Sequence, residues 1–407
     1  MAYELSWDIA HADRAWHDLE TRIAEQETAA TGEPVRRLTD IVDIDLLPRD
    51  DKPAKVFLTR EEVRDAYEGF LTDSRLEDNL SEEFIRGRAL GQLLHLDLLE
   101  GGQVDVHRHI ETAIGSELAL VDEGLIDDRQ QGIEDELVKH GLGFDESYAE
   151  DFEERLGVPR NKAAMRRHLI AFARRTGLLG ATERPGGSLI IPEIVDVDAG
   201  WVGYFSTHKK TSKPFAQLNA HERHGYTRAR AAAIAVHEAT GHAADFEQKY
   251  EAIRGGHMDP IFGITTPQTR ENVTAETIAL GREQQVLRRV RGRNAWEYHL
   301  QADYHEYLEM PWNNALIRIN SGVAEDDMVD YMKSRTLPYE KEENIRKRLR
   351  DMRDDTMWRA NAGAYEPGMR VVRRVRQLSD SQQERFYREI GRYPYSEAQM
   401  HRILEGR

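Results

Sequence analysis

Two histidines and a glutamate lie close together in the segment AAAIAVHEATGHAADFEQKY, residues 231–250. They are His237, Glu238 and His242. Imidazole and carboxylate groups bind zinc and other transition metals, and a carboxylate beside a metal ligand can also accept a proton during catalysis. The segment therefore predicts a metal site, provided that both imidazoles can reach the same ion.

The spacing of the two histidines decides whether they can share an ion. On a regular α-helix, positions i and i+5 are separated by about 140° around the axis, against about 40° for i and i+4. A π-bulge would bring i and i+5 onto one face, and such bulges favour functional sites. Gly241 would ease this distortion because glycine weakens a regular helix. We predict a helix wound wide between His237 and His242. The alternative is a regular helix that carries two of the chain's 16 histidines and a solvated Glu238.

A third ligand is expected on the next helix. Zinc hydrolases usually bind the ion through three protein side chains and leave one position open for water. The segment TRENVTAETIALGREQQVLRRV, residues 269–290, has a helical pattern and carries Glu271 and Glu276. Small and apolar neighbours indicate that at least one of these two faces inward. The alternative is that both are surface acids among the 73 acidic residues of the chain.

The composition limits the class of protein. The chain has 407 residues, of which 40% are hydrophobic and 32% charged, as is typical of a soluble globular protein. It has no cysteine, so any metal must be bound by His, Asp or Glu. Its net charge of −17 argues against a nucleic-acid partner. The N-terminal segment lacks the features of a secretory signal, and no run approaches the roughly eighteen apolar residues of a membrane span. We therefore expect a cytoplasmic protein with no membrane partner.

The apolar pattern predicts a mainly α fold with a small β-sheet. Segments such as REEVRDAYEGFLTD and NKAAMRRHLIAFARRT space their apolar residues by three and four. The later segment RPGGSLIIPEIVDVDAGWVGYFSTHKKTSKPFAQLNA predicts two or three short strands. Helix resumes near Tyr226 and continues in pieces to the C-terminus, with a break at Pro311. We predict an N-terminal helical region, residues 1–185, and a metal-binding catalytic region, residues 186–407, within one continuous domain.

The sequence resembles two families of helical gluzincin-type metallopeptidases. HEATGH is similar to the H-E-x-x-G-H motif of dipeptidyl peptidase III, and ENVTAE to that family's E-E-x-x-A-E segment, with Asn272 in place of the second glutamate. The layout of residues 200–380 resembles the bacterial domain of unknown function 885, in which an aromatic strand precedes a related histidine motif and a glutamate-bearing helix follows it. The matching segments are WVGYFSTHKK, HEATGH, ENVTAETIAL and NAGAYEPGMRVV.

The resemblance implies a zinc-dependent hydrolase with a helical metallopeptidase-like fold, whose small sheet lines the active-site cleft. His237, His242 and Glu271 would bind the metal. Glu276 is the alternative third ligand, or else a residue that contacts a ligating histidine. The substrate would be a peptide or a small molecule that contains an amide bond.

The resemblance also implies catalytic roles. Glu238 would be the general base that activates water, and Tyr365, in the segment NAGAYEPG, would stabilise the oxyanion. The strand in GWVGYFST would pair with an extended substrate.

Two other functions fit the same residues. A set of two histidines and one carboxylate also binds the iron of non-haem enzymes, so Fe²⁺ and a biosynthetic reaction on a peptidase-like scaffold are one alternative. The other is a non-catalytic helical binding protein.

Overall fold

Helices account for most of the structure, as the apolar pattern predicts. The computed structural model describes residues 2–32, 42, 44–47, 55–76, 82–157, 161–176, 192–197, 203–207, 214–221, 225–266 and 268–406. The helices before the strand-rich segment are α1 (Ala2–Thr31), α2 (Arg60–Thr72), α3 (Glu82–Leu99), α4 (Val106–Ile114), α5 (Glu123–Lys139), α6 (Ala149–Leu156) and α7 (Lys162–Thr176). Those after it are α8 (Arg228–Ala235), α9 (Ala244–Arg254), α10 (Glu271–Arg288), α11 (Ala295–Asn320), α12 (Glu325–Lys333), α13 (Glu342–Asp354), α14 (Thr356–Val375), α15 (Asp380–Ile390) and α16 (Glu397–Leu404).

Two small sheets accompany the helices in the described part of the chain. The strands are β1 (Ile44–Asp45), β2 (Glu193–Val195), β3 (Gly203–Thr207), β4 (Pro214–Asn219) and β5 (Ile264–Thr265). Strands β1 and β5 form an antiparallel pair, and the other three form a sheet in the order β2–β4–β3. Strand β4 pairs with β2 in parallel and with β3 in antiparallel orientation. The predicted short strands before the histidine segment are therefore present, and β3 lies at an edge of the described part of its sheet.

Apolar clusters join the two predicted regions of the chain. One cluster combines Ile110 of α4 and Ile133 of α5 with Leu316 of α11 and Val371 of α14. Another packs α1, α2 and α3 against Ile261 and its neighbours. The division near residue 185 lies outside the described residues and stays a prediction. None of the described helices has the length and apolar character needed to cross a membrane.

Helix α11 continues through Pro311, so the predicted break at this residue is wrong. A proline inside a helix removes one backbone hydrogen bond and disfavours the preceding turn. Every residue from 306 to 317 of α11 is nonetheless buried. Packing around this part of the helix therefore outweighs the local preference of proline.

A buried arginine fixes the start of α10. Arg88 of α3 donates from Nη1 to Asp13 of α1 at 2.7 Å, from Nη2 to the carbonyl oxygen of Ile264 at 2.8 Å, and also from Nη2 to the carboxylate of Glu271. Asp13 accepts a further hydrogen bond from Tyr67 at 2.6 Å. Because Arg88 and Asp13 are fully buried, these bonds tie the first residue of α10 to α1 and α3.

Candidate metal centre

The segment between α8 and α9 is a π-helix, Val236–Ala243. The wide winding predicted from the five-residue spacing is therefore present. It brings Nε2 of His237 to 3.2 Å from Nε2 of His242, and the two rings are nearly perpendicular, at 83°. Both side chains are buried. The two imidazoles thus converge on one point instead of facing different sides of the helix.

Glycine at position 241 lets α10 approach the π-helix. A Cβ atom at Gly241 would lie 2.5 Å from Cα and 2.7 Å from Cβ of Ala279. Both contacts are closer than side-chain atoms tolerate, and the first is to the backbone of α10. The small residue is therefore required for the distance between the two helices, in addition to any effect on the winding of the π-helix.

Replacing Gly241 with Ala is expected to destabilise the protein by about 1–3 kcal/mol, the usual cost of overpacking a core. In an unobstructed helix the same exchange stabilises by about 0.5–1 kcal/mol. Gly132 of α5 provides the matched control, because no atom lies within 4 Å of a Cβ built there. Denaturant unfolding of both variants measures the difference. Equal stabilisation of the two proteins would contradict the close approach at Ala279.

Glu276 of α10 supplies the third group of the centre. Its Oε2 lies 3.5 Å from Nε2 of His237, and its Oε1 lies 3.5 Å from Nε2 of His242. Oε2 is buried without a hydrogen-bond partner among the described residues. Tetrahedral coordination with bonds of about 2.0–2.1 Å places ligand atoms about 3.3–3.4 Å apart. The separations of 3.2 Å and 3.5 Å fit that spacing, so the donor set suits a zinc-sized ion.

Glu271 does not reach the histidines, so we replace it by Glu276 in the predicted ligand set. Its carboxylate is paired with Arg88 at the start of α10. Glu271 and Glu276 are separated by about 140° around a regular α-helix. Only one of them can face the π-helix, and the structure places Glu276 there.

Glu238 lies between the histidines and strand β3. A Cβ atom at Gly203 of β3 would come within 2.6 Å of Oε1 of Glu238, so the strand backbone runs directly against this carboxylate. Burial raises the pKa of Glu238. The charges of His237 and His242 act in the opposite direction, and the nearby carboxylate of Glu276 raises the pKa further. The group is thus a partly desolvated carboxylate next to the candidate ligands.

Tyr365 lies in α14, which packs against α10. Helix α14 crosses α10 closely here, because a Cβ atom at Gly368 would lie 3.4 Å from Cβ of Glu276. Burial raises the pKa of the Tyr365 phenol well above its usual value, and the charges of Glu276 and Glu238 raise it further. The phenol therefore keeps its proton and remains a hydrogen-bond donor near the centre.

Three residues that the sequence analysis did not single out complete the surroundings. Glu283 of α10 is fully buried, and its Oε2 lies 3.7 Å from Nδ1 of His237. Its two oxygens are 2.7 Å and 2.8 Å from Nδ1 of His305 in α11, whose Nε2 is 3.4 Å from Glu309. Glu283 follows Glu276 by seven residues, a spacing that returns to the same face of a helix. This spacing could have indicated Glu283, whereas no local pattern indicates His305.

The charges of these groups depend on one another. Burial alone would lower the pKa of His237, but contacts with Glu276 and Glu283 raise it well above its usual value. Burial would likewise lower the pKa of His305, and Glu283 and Glu309 raise it to about 10. Burial would raise the pKa of Glu276, but His242 and His237 lower it to about 2. Without a metal, the contacts with these carboxylates therefore favour the protonated forms of His237 and His305.

Comparison with known proteins gives a fold but no family. No protein-family model matches the sequence, and no curated protein matches it. The chain is similar to a solved structure described as the "putative lipoprotein from Colwellia psychrerythraea", with a TM-score of 0.56 and 14% sequence identity. The similarity covers 86% of this chain and 70% of the other. At this identity the likeness concerns the fold alone.

Proposed function

We propose that the protein is a zinc-dependent hydrolase that cleaves peptide or amide bonds on a peptidase-like helical fold. The observation that carries the proposal is the convergence of His237 and His242 of the π-helix with Glu276 of α10. The carboxylate of Glu238 directly follows the first histidine in the sequence. Two histidines and one glutamate form one of the donor sets of zinc hydrolases, and a carboxylate beside such a set can act as the general base.

The ion would be held by Nε2 of both histidines and by the carboxylate of Glu276. When bound, zinc would supply a Lewis acid and lower the pKa of a water ligand towards neutrality. The same set of ligands also suits Fe²⁺, so metal analysis is part of the test below.

Glu238 would accept the proton of the attacking water and transfer it to the leaving nitrogen. Its position supports this role, because it is adjacent in sequence to His237 while its carboxylate lies against β3. Tyr365 would donate a hydrogen bond to the oxygen of the carbonyl group under attack. Its raised pKa supports the role, since the phenol stays protonated at neutral pH.

Strand β3 would align the substrate. It lies at the edge of the described sheet, and its first residue, Gly203, contacts Glu238. An extended peptide that paired with this edge would place its backbone amides beside the general base. The substrate class that follows is an extended peptide or an amide with peptide-like geometry.

Removing the metal is expected to abolish hydrolysis, and adding zinc should restore it. Protein purified without added metal should contain about one zinc per chain, measured by elemental analysis, and should cleave members of a peptide mixture detected by mass spectrometry. His242→Ala should lose the metal and the activity. His257→Ala is the matched control, because His257 is exposed in the loop after α9.

Three outcomes would overturn the proposal. In the first, the protein contains no metal and binds none. In the second, it contains iron in place of zinc and its turnover depends on oxygen. In the third, peptide cleavage continues after the metal has been removed completely.

A further inference from the structure

Two carboxylates of α10 contact opposite edges of one imidazole ring. Glu276 lies at Nε2 of His237, at 3.5 Å, and Glu283 lies at Nδ1, at 3.7 Å. Nδ1 of His237 is buried and has no hydrogen-bond partner within the described residues. Glu283 is the acceptor that faces it, and a shift of about half an ångström would bring the two atoms to hydrogen-bond distance.

Glu283 is itself held in place by His305. Both oxygens of Glu283 lie within 2.8 Å of Nδ1 of His305. The other ring nitrogen of His305 faces Glu309 at 3.4 Å. Glu283 is fully buried, so bulk solvent does not reach its carboxylate. The position of its carboxylate is therefore set by α11 as well as by α10.

We propose that Glu283 is a positioning residue for His237 and that His305 is the group that aligns it. This inference rests on the metal site proposed above. Glu283 accepts a hydrogen bond from Nδ1–H of His237, which fixes the tautomer with Nε2 directed at the ion and prevents rotation of the ring. His305 donates from Nδ1 to Glu283 and from Nε2 to Glu309, so that the carboxylate stays against His237.

The physical reason is the usual behaviour of a ligating histidine. The nitrogen that does not bind the metal donates its proton to a carboxylate or carbonyl, which orients the ring and makes the other nitrogen a stronger ligand. In this protein such an acceptor is needed for a second reason. The N–H of His237 is buried and would otherwise be left without a hydrogen bond.

Two substitutions of His305 separate positioning from charge. The amide nitrogen of Asn lies near the place of the histidine Nδ1, and that of Gln near the place of Nε2. His305→Asn therefore keeps the donor to Glu283 and loses the one to Glu309, whereas His305→Gln does the reverse. Both remove the imidazolium charge, so a purely electrostatic effect would change both variants equally.

We expect His305→Gln to weaken zinc binding by about 10–100-fold, the usual loss when the partner of a ligating histidine is disturbed. His305→Asn should stay within about threefold of the wild type. Zinc affinity is measured by competition with a chromogenic chelator. The visible absorption of the cobalt-substituted protein reports the ligand geometry without any need for a substrate, and it should change only in His305→Gln. Glu283→Gln provides a second route to the same loss if a His305 variant does not fold.

The possible failures are distinguishable. Wild-type protein that binds no zinc would end both the proposed function and this inference. Zinc binding by the wild type, with equal affinities and cobalt spectra in all variants, would end the inference alone. Equal weakening in the Asn and Gln variants would show that His305 acts through its charge, and would likewise overturn the positioning role.

Discussion

Replacing Glu238 with Gln is expected to reduce kcat for peptide hydrolysis by about 10²–10⁴-fold, the usual contribution of a general base. The amide keeps the size of the side chain but cannot accept the proton of the attacking water. Zinc content should stay at the wild-type value, because His237, His242 and Glu276 remain. The folded protein should be at least as stable, since burial already disfavours the charged carboxylate, as the raised pKa of Glu238 indicates.

The measurement compares kcat, zinc content and melting temperature of the two proteins. Glu251→Gln is a suitable control, because it makes the same chemical change at an exposed position of α9, on the helix that follows the π-helix. Full peptide turnover by the Glu238 variant would exclude the proposed role of this residue, whatever metal the protein contains. Loss of zinc together with activity would assign Glu238 to metal binding instead.

Replacing Glu276 with Ala is expected to remove the metal, whereas replacing Glu271 with Ala should leave the metal and weaken the fold. Glu276 faces both histidines, and loss of a ligand should lower affinity by more than the roughly 10–100-fold that is typical of residues behind a ligand. Glu271 instead neutralises Arg88, which is fully buried. Arg88 keeps its ion pair with Asp13 in this variant, so the cost in folding free energy should lie below the roughly 3–5 kcal/mol that is typical of a buried charge left without any partner.

Two measurements separate these effects. The first is the zinc content after gel filtration, and the second is the free energy of unfolding of the metal-free proteins in urea. The metal-free comparison matters because a bound ion would itself stabilise the folded state. Zinc retained by the Glu276 variant and lost by the Glu271 variant would restore the ligand set first predicted from the sequence.

The wide turn was predictable because the histidine spacing admits few solutions. Two imidazoles that share an ion cannot be separated by about 140°, so either the helix is distorted or the site does not exist. Gly241 pointed towards distortion, and the structure has a π-helix at this place. The mainly helical fold and the short strands were also predictable, because apolar residues recur every three or four positions in a helix and alternate in a strand.

The choice between Glu271 and Glu276 was not predictable from local sequence. It depends on Arg88, which lies 183 residues before Glu271 in the chain. No pattern near Glu271 indicates that an arginine of α3 will form an ion pair with its carboxylate. The break expected at Pro311 failed for a comparable reason. Burial of the surrounding residues in α11 is a property of the whole fold, and it overrides the preference of a single residue.

The additional residue of the π-helix lies within the wide turn itself. Helix α9 begins immediately after the π-helix and buries Phe246 and Ile253 in two different apolar clusters. Deleting one residue between the histidines would give them the four-residue spacing of a regular helix, about 40° apart, at which they could still share an ion. Because His242 would then face nearly the same way as it does in the π-helix, α9 would keep its direction relative to α8, and Phe246 and Ile253 could stay in their clusters. The extra residue is thus a local insertion that the wide turn absorbs, and a chain with one residue fewer at this place could keep both the centre and the packing beyond it.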